Sequence, residues 1–356
     1  MKYAFQFLLF VLPLTTFSQT GNIKHTFSGY IETYYCYSAE DPKNHTRPAF
    51  VYSHNRHNEV NLNIGFVRVS VSDSGYRANM AIMAGTYANA NLAAEPGVLK
   101  NIYEGNAGIK LCRKKNIWLD AGVFSSHIGF ESAIGKDCWN LTRSLAADNT
   151  PYFECGAKLT STSKNEKWAL GLFVLNGWQR IQRLPGNTLP AFGTQLYYKP
   201  SDKFVLNSST FVGTDKPDSS RQMRYFHNFY AILQLTPRFG VVVGVDAGME
   251  QMKKDTSAYN NWINPTLIFR YKFGKKCFVS LRGEYYKDEN GVIIFTGTPN
   301  GFSTVGYSLN FDYAFRDNFM WRIEARGLTS EDKIFMLNGS PSNQNYFFTA
   351  AMAISF

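Results

Sequence analysis

The chain has 356 residues and a formal net charge of +10, yet charged residues make up only 18% of it against 16% aromatics. A mean hydropathy of -0.25, with no apolar run of helix-spanning length after Leu14, excludes a helical membrane protein. The charge lies below the roughly 25% of ordinary globular domains, and the surplus of Tyr and Phe suits aromatic girdles at a membrane interface.

Met1-Lys2, the apolar run Tyr3 to Leu14 and the short polar stretch Thr15 to Gln19 form a secretory signal peptide over residues 1–18, with cleavage expected after Ser18. The apolar core is shorter than the roughly 20 residues of a spanning helix. No cysteine lies near the cut, so a lipidated N-terminus is not expected. Residues 19–356 read as one domain, because no linker, repeat or low-complexity stretch interrupts them.

From there the dominant signal is period-two alternation in segments of about 10 to 14 residues, the pattern of a transmembrane antiparallel up-and-down β-barrel with about sixteen strands. The first eight are Lys24 to Tyr37, Asn58 to Ser72, Gly75 to Tyr87, Tyr103 to Arg113, Ile117 to Ser125, Pro151 to Thr162, Lys167 to Gly177 and Ala191 to Lys199. The second eight are Phe204 to Thr214, Gln222 to Leu235, Phe239 to Glu250, Trp262 to Lys272, Cys277 to Asp288, Phe302 to Phe315, Phe319 to Thr329 and Asn345 to Phe356. Val305, Tyr307, Leu309, Phe311 and Tyr313 alternate with Thr304, Ser308, Asn310 and Asp312, one file for lipid and one for water. A Lys or Arg at the lipid midplane costs roughly 2 to 4 kcal/mol, which confines charge to one parity. Three strands are irregular. Lys167 to Gly177 is apolar on both faces, Phe204 to Thr214 is weakly patterned, and the strand from Asn58 changes parity near Gly65, which suggests a bulge.

Connections alternate in length. Asp73-Ser74, Lys114 to Asn116, Ser163 to Glu166, Pro200 to Lys203, Thr236 to Arg238, Phe273 to Lys276 and Arg316 to Asn318 are tight turns, whereas Ser38 to His57, Ser126 to Thr150 and Ser330 to Gln344 are long. Short periplasmic turns and long extracellular loops fit an outer-membrane barrel of a Gram-negative-type bacterium. A β-sandwich or propeller predicts neither this alternation nor inward files that lack apolar residues. The chain ends on the aromatic Phe356, which resembles the C-terminal assembly signal read by the outer-membrane barrel assembly machinery.

The stretches FSGYIETYY, AIMAGTYANAN from Ala81, WLDAGVFSSHIG from Trp118, PYFECGAKLTS from Pro151 and VLNGWQRI from Val174 resemble the Bacteroidota OmpL-like β-barrel porins over nearly the whole mature chain. The resemblance implies a pore-forming outer-membrane protein, a passive diffusion channel for small hydrophilic solutes. A non-conducting barrel acting as adhesin or structural protein is the alternative. Outer-membrane lipid surrounds either form, and homotrimer and monomer both stay open.

In porins of this size the third outer loop commonly folds inward, and here that loop is Ser126 to Thr150. Its Glu131, Lys136, Asp137, Arg143 and Asp148 would face wall residues Arg77, Lys110, Asp120, Glu154, Lys158, Arg270, Arg282, Arg322 and Arg326 as opposed rings of acid and base across a constriction. Much of the basic excess lies at the turns, in Arg113, Lys114, Lys115, Lys164, Lys167, Lys203, Arg238, Lys275 and Lys276. The inward files are therefore close to neutral, and weak ion selectivity is expected. Nucleic acid is not an expected partner, because stacking aromatics and basic residues do not converge on one groove.

No cofactor is expected. The five cysteines, Cys36, Cys112, Cys138, Cys155 and Cys277, form no CxxC or other metal-spaced cluster and cannot all pair; one bridge, Cys138 to Cys155, is conceivable in an oxidising periplasm. His45, His54 and His57 share the first outer loop without an acid or cysteine to complete a metal set, so they read as polar residues on a mobile loop. Ser126-His127 are adjacent and make a poor nucleophile and base, so no catalytic site is expected.

Overall fold

The computed structural model describes residues 23–356; the signal-peptide reading for residues 1–18 lies outside them. Among the described residues no helix is long and apolar enough to cross a membrane. The strands instead close into a single antiparallel barrel of sixteen. In chain order they are β1 (Lys24–Ser38), β2 (Val60–Ser72), β3 (Tyr76–Ala84), β4 (Ile102–Lys110), β5 (Asn116–Ser125), β6 (Phe153–Thr162), β7 (Trp168–Leu175) and β8 (Ala191–Ser201). They continue as β9 (Phe204–Gly213), β10 (Arg224–Gln234), β11 (Phe239–Gln251), β12 (Tyr259–Phe273), β13 (Cys277–Asp288), β14 (Phe302–Arg316), β15 (Phe319–Ser330) and β16 (Gln344–Ser355). Each coincides with an expected strand to within a few residues. Short helices and a small hairpin in the long loops were not legible. β3 stops at Ala84 because Gly85, at φ 129, turns the chain into α1 (Thr86–Asn91), and the last long loop carries a small hairpin, Phe335–Leu337 with Ser340–Ser342.

The irregular strands have local causes. Glu32 lies opposite Ile64 and Thr33 opposite Leu62, so Asn63 is an extra, bulged residue two before Gly65. The bulge turns Asn63 inward, where its Nδ2 donates to Glu32 Oε1 at 2.7 Å. In β9 the weak pattern reflects polar side chains on the outward face: Thr210 bonds Thr194 at 2.7 Å, and Ser208 bonds His227 at 2.8 Å. Elsewhere the outward wall is mostly apolar. At the turn end it carries stacked aromatics, such as Trp168 on Tyr198 at 4.0 Å and Phe315 on Phe319 at 4.9 Å.

The expectation that inward files lack apolar residues fails. Phe124, Phe173, Leu175, Phe211, Phe226, Trp262, Tyr286, Phe302 and Phe347 point inward and pack with Ile128, Leu141 and Leu145 of the third outer loop. A second cluster joins Tyr30, Ile64, Phe66 and Met83 to Tyr87 and Leu92 beyond β3 and to Tyr152 and Ile181. Inward Phe173 and Leu175 explain why β7 is apolar on both faces. Period two tells the two faces of a strand apart, but it does not tell a wet lumen from one filled by a loop.

The barrel closes where β1 pairs with β16, from Tyr30 opposite Ser355 to Ser38 opposite Phe347. Beyond the last pair Gly29 N donates to Phe356 O at 2.8 Å, and Phe356 N donates to Gly29 O at 3.0 Å. The Phe356 ring lies where a Cβ on Gly29 would project, so a side chain there must push the ring aside. Gly29→Val should displace the ring at a cost of about 1 to 3 kcal/mol and lower the fraction of protein running as the compact, heat-modifiable band on cold SDS gels. An unchanged fraction would remove the ring's packing from the closure.

Candidate functional site: the lumen and its infolded loop

The third outer loop, Ser126 to Thr150, descends the full height of the barrel. At the loop end Gly129 N donates to Asn228 of β10 at 3.2 Å. At the turn end Lys136 Nζ reaches Asp317 O at 3.0 Å, in the turn joining β14 and β15. The chain then climbs along β13 to β15. Ser280 Oγ donates to Trp139 O at 2.9 Å, Asn140 Nδ2 to Ser308 Oγ at 3.1 Å, Leu141 N to Asn310 Oδ1 at 3.0 Å, Thr142 N to Glu324 Oε2 at 2.6 Å and Leu145 N to Glu284 Oε2 at 2.6 Å. It ends in one helical turn, α2 (Leu145–Asp148), capped by Ser144 Oγ. A buried backbone group without a partner costs about as much as a lost hydrogen bond, so this loop needs a polar wall opposite it.

Three wall arginines hold its carbonyls. Arg322 donates to Gly135 O at 2.6 Å and Cys138 O at 3.0 Å, Arg282 to Thr142 O at 2.7 Å, and Arg326 to Arg143 O at 2.7 Å. Their charges are met by wall acids: Arg322 by Asp312 at 2.7 Å, Arg282 by Glu324 at 3.1 Å, and Arg326 by Glu284. All six side chains are buried.

The loop's own charges do not form a ring opposed to the wall. Arg143 is fully buried and donates to Ser132 O, Leu141 O and Ala133 O, clamping the loop on itself. Glu131 accepts from Ser144 N at 2.9 Å and stands 3.9 Å from Arg282. Asp148 accepts from Ser53 N and Tyr152 at the loop end, while Lys136 is half-buried and Asp137 exposed at the turn end.

Arg77, Lys110, Asp120 and Lys158 stand apart from this network, whereas Arg270 reaches its Asp312 at 3.4 Å. Arg77 pairs with Asp120, and Arg68, whose inward position the bulge obscures in the sequence, pairs with Glu104 at 2.9 Å. Lys158 lies over the Phe124 ring at 4.4 Å and Lys110 over Trp118 at 5.9 Å. Arg68, Arg77, Lys110, Lys158 and Glu104 are all partly exposed while Asp120 is buried, so the water-accessible interior beside β2 to β6 is lined by four cations and one acid. Arg270 points toward Trp139, which sequence reasoning passed over.

Glu154 belongs to the root of the loop. It accepts from His127 Nδ1 at 2.9 Å and from Ser126 Oγ at 3.3 Å, while His127 Nε2 donates to Thr210 O at 2.9 Å. Burial opposes charge on His127, but the Glu154 carboxylate holds the imidazole above its ordinary value. With both ring nitrogens donating, this histidine cannot take a proton from Ser126, so the pair anchors the loop.

The first outer loop, expected to carry its histidines as free polar residues, packs them instead: His54 and His57 are buried. His54 Nε2 donates to Glu32 at 2.9 Å, and burial keeps its imidazole below the ordinary value. Among the described residues no group of His, Cys, Asp and Glu could hold a metal ion, and the five cysteines are unpaired.

Residues 24–356 match the family described as "Putative beta-barrel porin-2, OmpL-like". No curated protein matches the sequence. Among solved structures the chain is similar to an anion-selective porin from Comamonas acidovorans, with TM-score 0.62 and 8% identity over 94% of this chain and 100% of that one. It is also similar to the outer membrane channel DcaP of Acinetobacter baumannii, with TM-score 0.60 and 9% identity over 94% and 97%. A third is OmpT of Vibrio cholerae in its trimer form, with TM-score 0.59 and 8% identity over 94% and 99%. At these identities the likeness is one of fold.

Removing one partner of a buried charged pair costs about 3 to 5 kcal/mol. Arg322→Ala leaves Asp312 only its longer contact with Arg270 at 3.4 Å and frees the carbonyls of Gly135 and Cys138, so the loop should detach locally while the barrel persists. Trypsin should not reach buried Arg143 in the wild type but should cleave there in the variant; resistance of both would show that the arginine clamp is not what holds the loop.

Proposed function

Because this chain belongs to the OmpL-like β-barrel porin family, we propose that it works as a narrow passive diffusion channel for small hydrophilic solutes in the outer membrane. The observation that carries this reading is the half-open strip of Arg68, Arg77, Lys110 and Lys158 beside β2 to β6, the wall that the infolded loop leaves wet. Solutes pass between that wall and the loop, so the pore is far narrower than sixteen strands alone would give. The inward charges were expected to balance, but burial removes most acids from contact with water. Glu284, Glu324 and Asp312 are taken by arginines, Glu154 by His127 and Glu32 by His54. Ions in transit therefore meet four cations against Glu104, with Asp120 buried beneath Arg77, a weak preference for anions.

The packed interior favours one alternative, a barrel that does not conduct and serves as adhesin or structural protein. Planar-bilayer recording separates the two. The wild type should give small steps with a reversal potential slightly toward the anion side in a KCl gradient, and deletion of Ile134 to Ala147 should raise the step size severalfold. Absence of steps from both proteins would assign the barrel to the non-conducting class.

The outward pairs Thr194–Thr210 and Ser208–His227 suggest where copies meet. Hydroxyls and an imidazole facing hydrocarbon are costly even when paired with each other, whereas a neighbouring barrel can bond them. We read β8 to β10 as a face between protomers of a homo-oligomer. Thr210→Arg with His227→Glu should convert the oligomer to monomer in native mass spectrometry, and an unaltered oligomer, or a monomeric wild type, would refute this interface.

A further inference from the structure

A cavity of about 240 Å³ opens at the turn end of the lumen, away from the strip of β2 to β6. Its lining includes three cations, Arg238 from the turn before β11 and Arg270 and Lys272 from β12, and two aromatic rings, Trp139 from the infolded loop and Phe278 from β13. No carboxylate lines it. Arg270 has one acid within reach, Asp312 at 3.4 Å, and that carboxylate already accepts from Arg322 at 2.7 and 3.0 Å. Arg270 Nε is buried without a hydrogen-bond partner, and among the described residues neither Arg238 nor Lys272 has an acid within ion-pair distance. Two arginines thus share one carboxylate, and the pocket keeps a surplus of positive charge.

Its walls are held in place. A Cβ at Gly240 would lie 2.6 Å from the Trp139 ring, so the glycine provides the room into which that ring packs, and Ser280 fixes the Trp139 carbonyl at 2.9 Å. The Arg270 guanidinium stands 4.3 Å from the Phe278 centroid and 5.9 Å from that of Trp139. Cationic donors beside two flat apolar surfaces match a ligand with an anionic head and a flat body, and the volume, about that of eight waters, suits one of single-ring size.

We infer that this pocket is a binding site for small organic carboxylates with a planar apolar body, entered from the periplasm. The carboxylate pairs with Arg270 and Lys272, with Arg238 at the mouth, and the ring lies against Trp139 and Phe278. Such a site would hold an anion at the inner mouth of the lumen, whereas the strip along β2 to β6 biases ions in transit. It does not depend on conduction, since binding needs neither a bilayer nor a potential.

The test is calorimetric titration of the refolded full-length barrel in detergent at low salt, with benzoate as the probe and acetate, benzyl alcohol and inorganic phosphate as comparisons. Benzoate should give one saturable site, with acetate and benzyl alcohol each weaker by about tenfold. Arg270→Gln with Lys272→Gln should weaken benzoate about tenfold or more, and Trp139→Ala, which keeps every charge, severalfold. Cold and heated SDS mobility confirms that each variant is a closed barrel. No saturable heat with benzoate, equal affinity for phosphate, or an affinity unmoved in both variants would overturn the assignment. A barrel that binds benzoate and passes no current would leave the site standing and overturn only the channel reading.

Discussion

Backbone N–H and C=O groups facing hydrocarbon find no water to bond, and each one left unpaired costs several kcal/mol. In this chain the requirement is met by one pairing, β1 with β16, which turns a sixteen-stranded sheet with two open edges into a ring with none. Everything else follows from closure. The outward parity must be apolar, the inward parity is free to be polar, and the first and last strands meet at Gly29 and Phe356.

Closure creates an interior, and the interior raises the same problem in reverse. A loop that enters it carries peptide groups away from bulk water, and the wall must answer each of them. Arg282, Arg322 and Arg326 serve the carbonyls, while Asn310, Glu284 and Glu324 serve the amides. The arginines could not be buried alone, so each comes with an acid. Where the loop is absent, beside β2 to β6, the same kinds of side chain stay partly exposed and can meet a solute. The division between structural and functional charge in this lumen is therefore set by the path of one loop.

That division also explains the difference between the charge of the sequence and the charge of the pore. By composition the inward files nearly balance. By exposure they do not, because most acids that accept from loop amides, arginines or histidines are withdrawn from solvent, and the partly exposed cations stay at the periphery of the loop's footprint.

The fold was legible in the sequence because period-two alternation and the short-long rhythm of connections are local consequences of a global constraint: every strand must present one face to lipid. The irregularities were legible as well, at Gly65 for the bulge, in β7 for the inward Phe173 and Leu175, and in β9 for the outward Thr210 and Ser208, although their reasons were not. The sequence supplied most of the inventory of inward charges, Arg68 excepted, but it did not assign their partners. Arg143 clamps its own loop, Arg322 reaches Gly135 and Arg270 stands by Trp139 because the loop takes one route through the barrel. That route is a sum of contacts between residues far apart in the chain, such as Thr142 with Glu324, and no periodicity encodes it. By itself the sequence determined which side of each strand is wet. Only the tertiary structure decided which of those wet-side residues still meet water, because that depends on what else the closed barrel encloses.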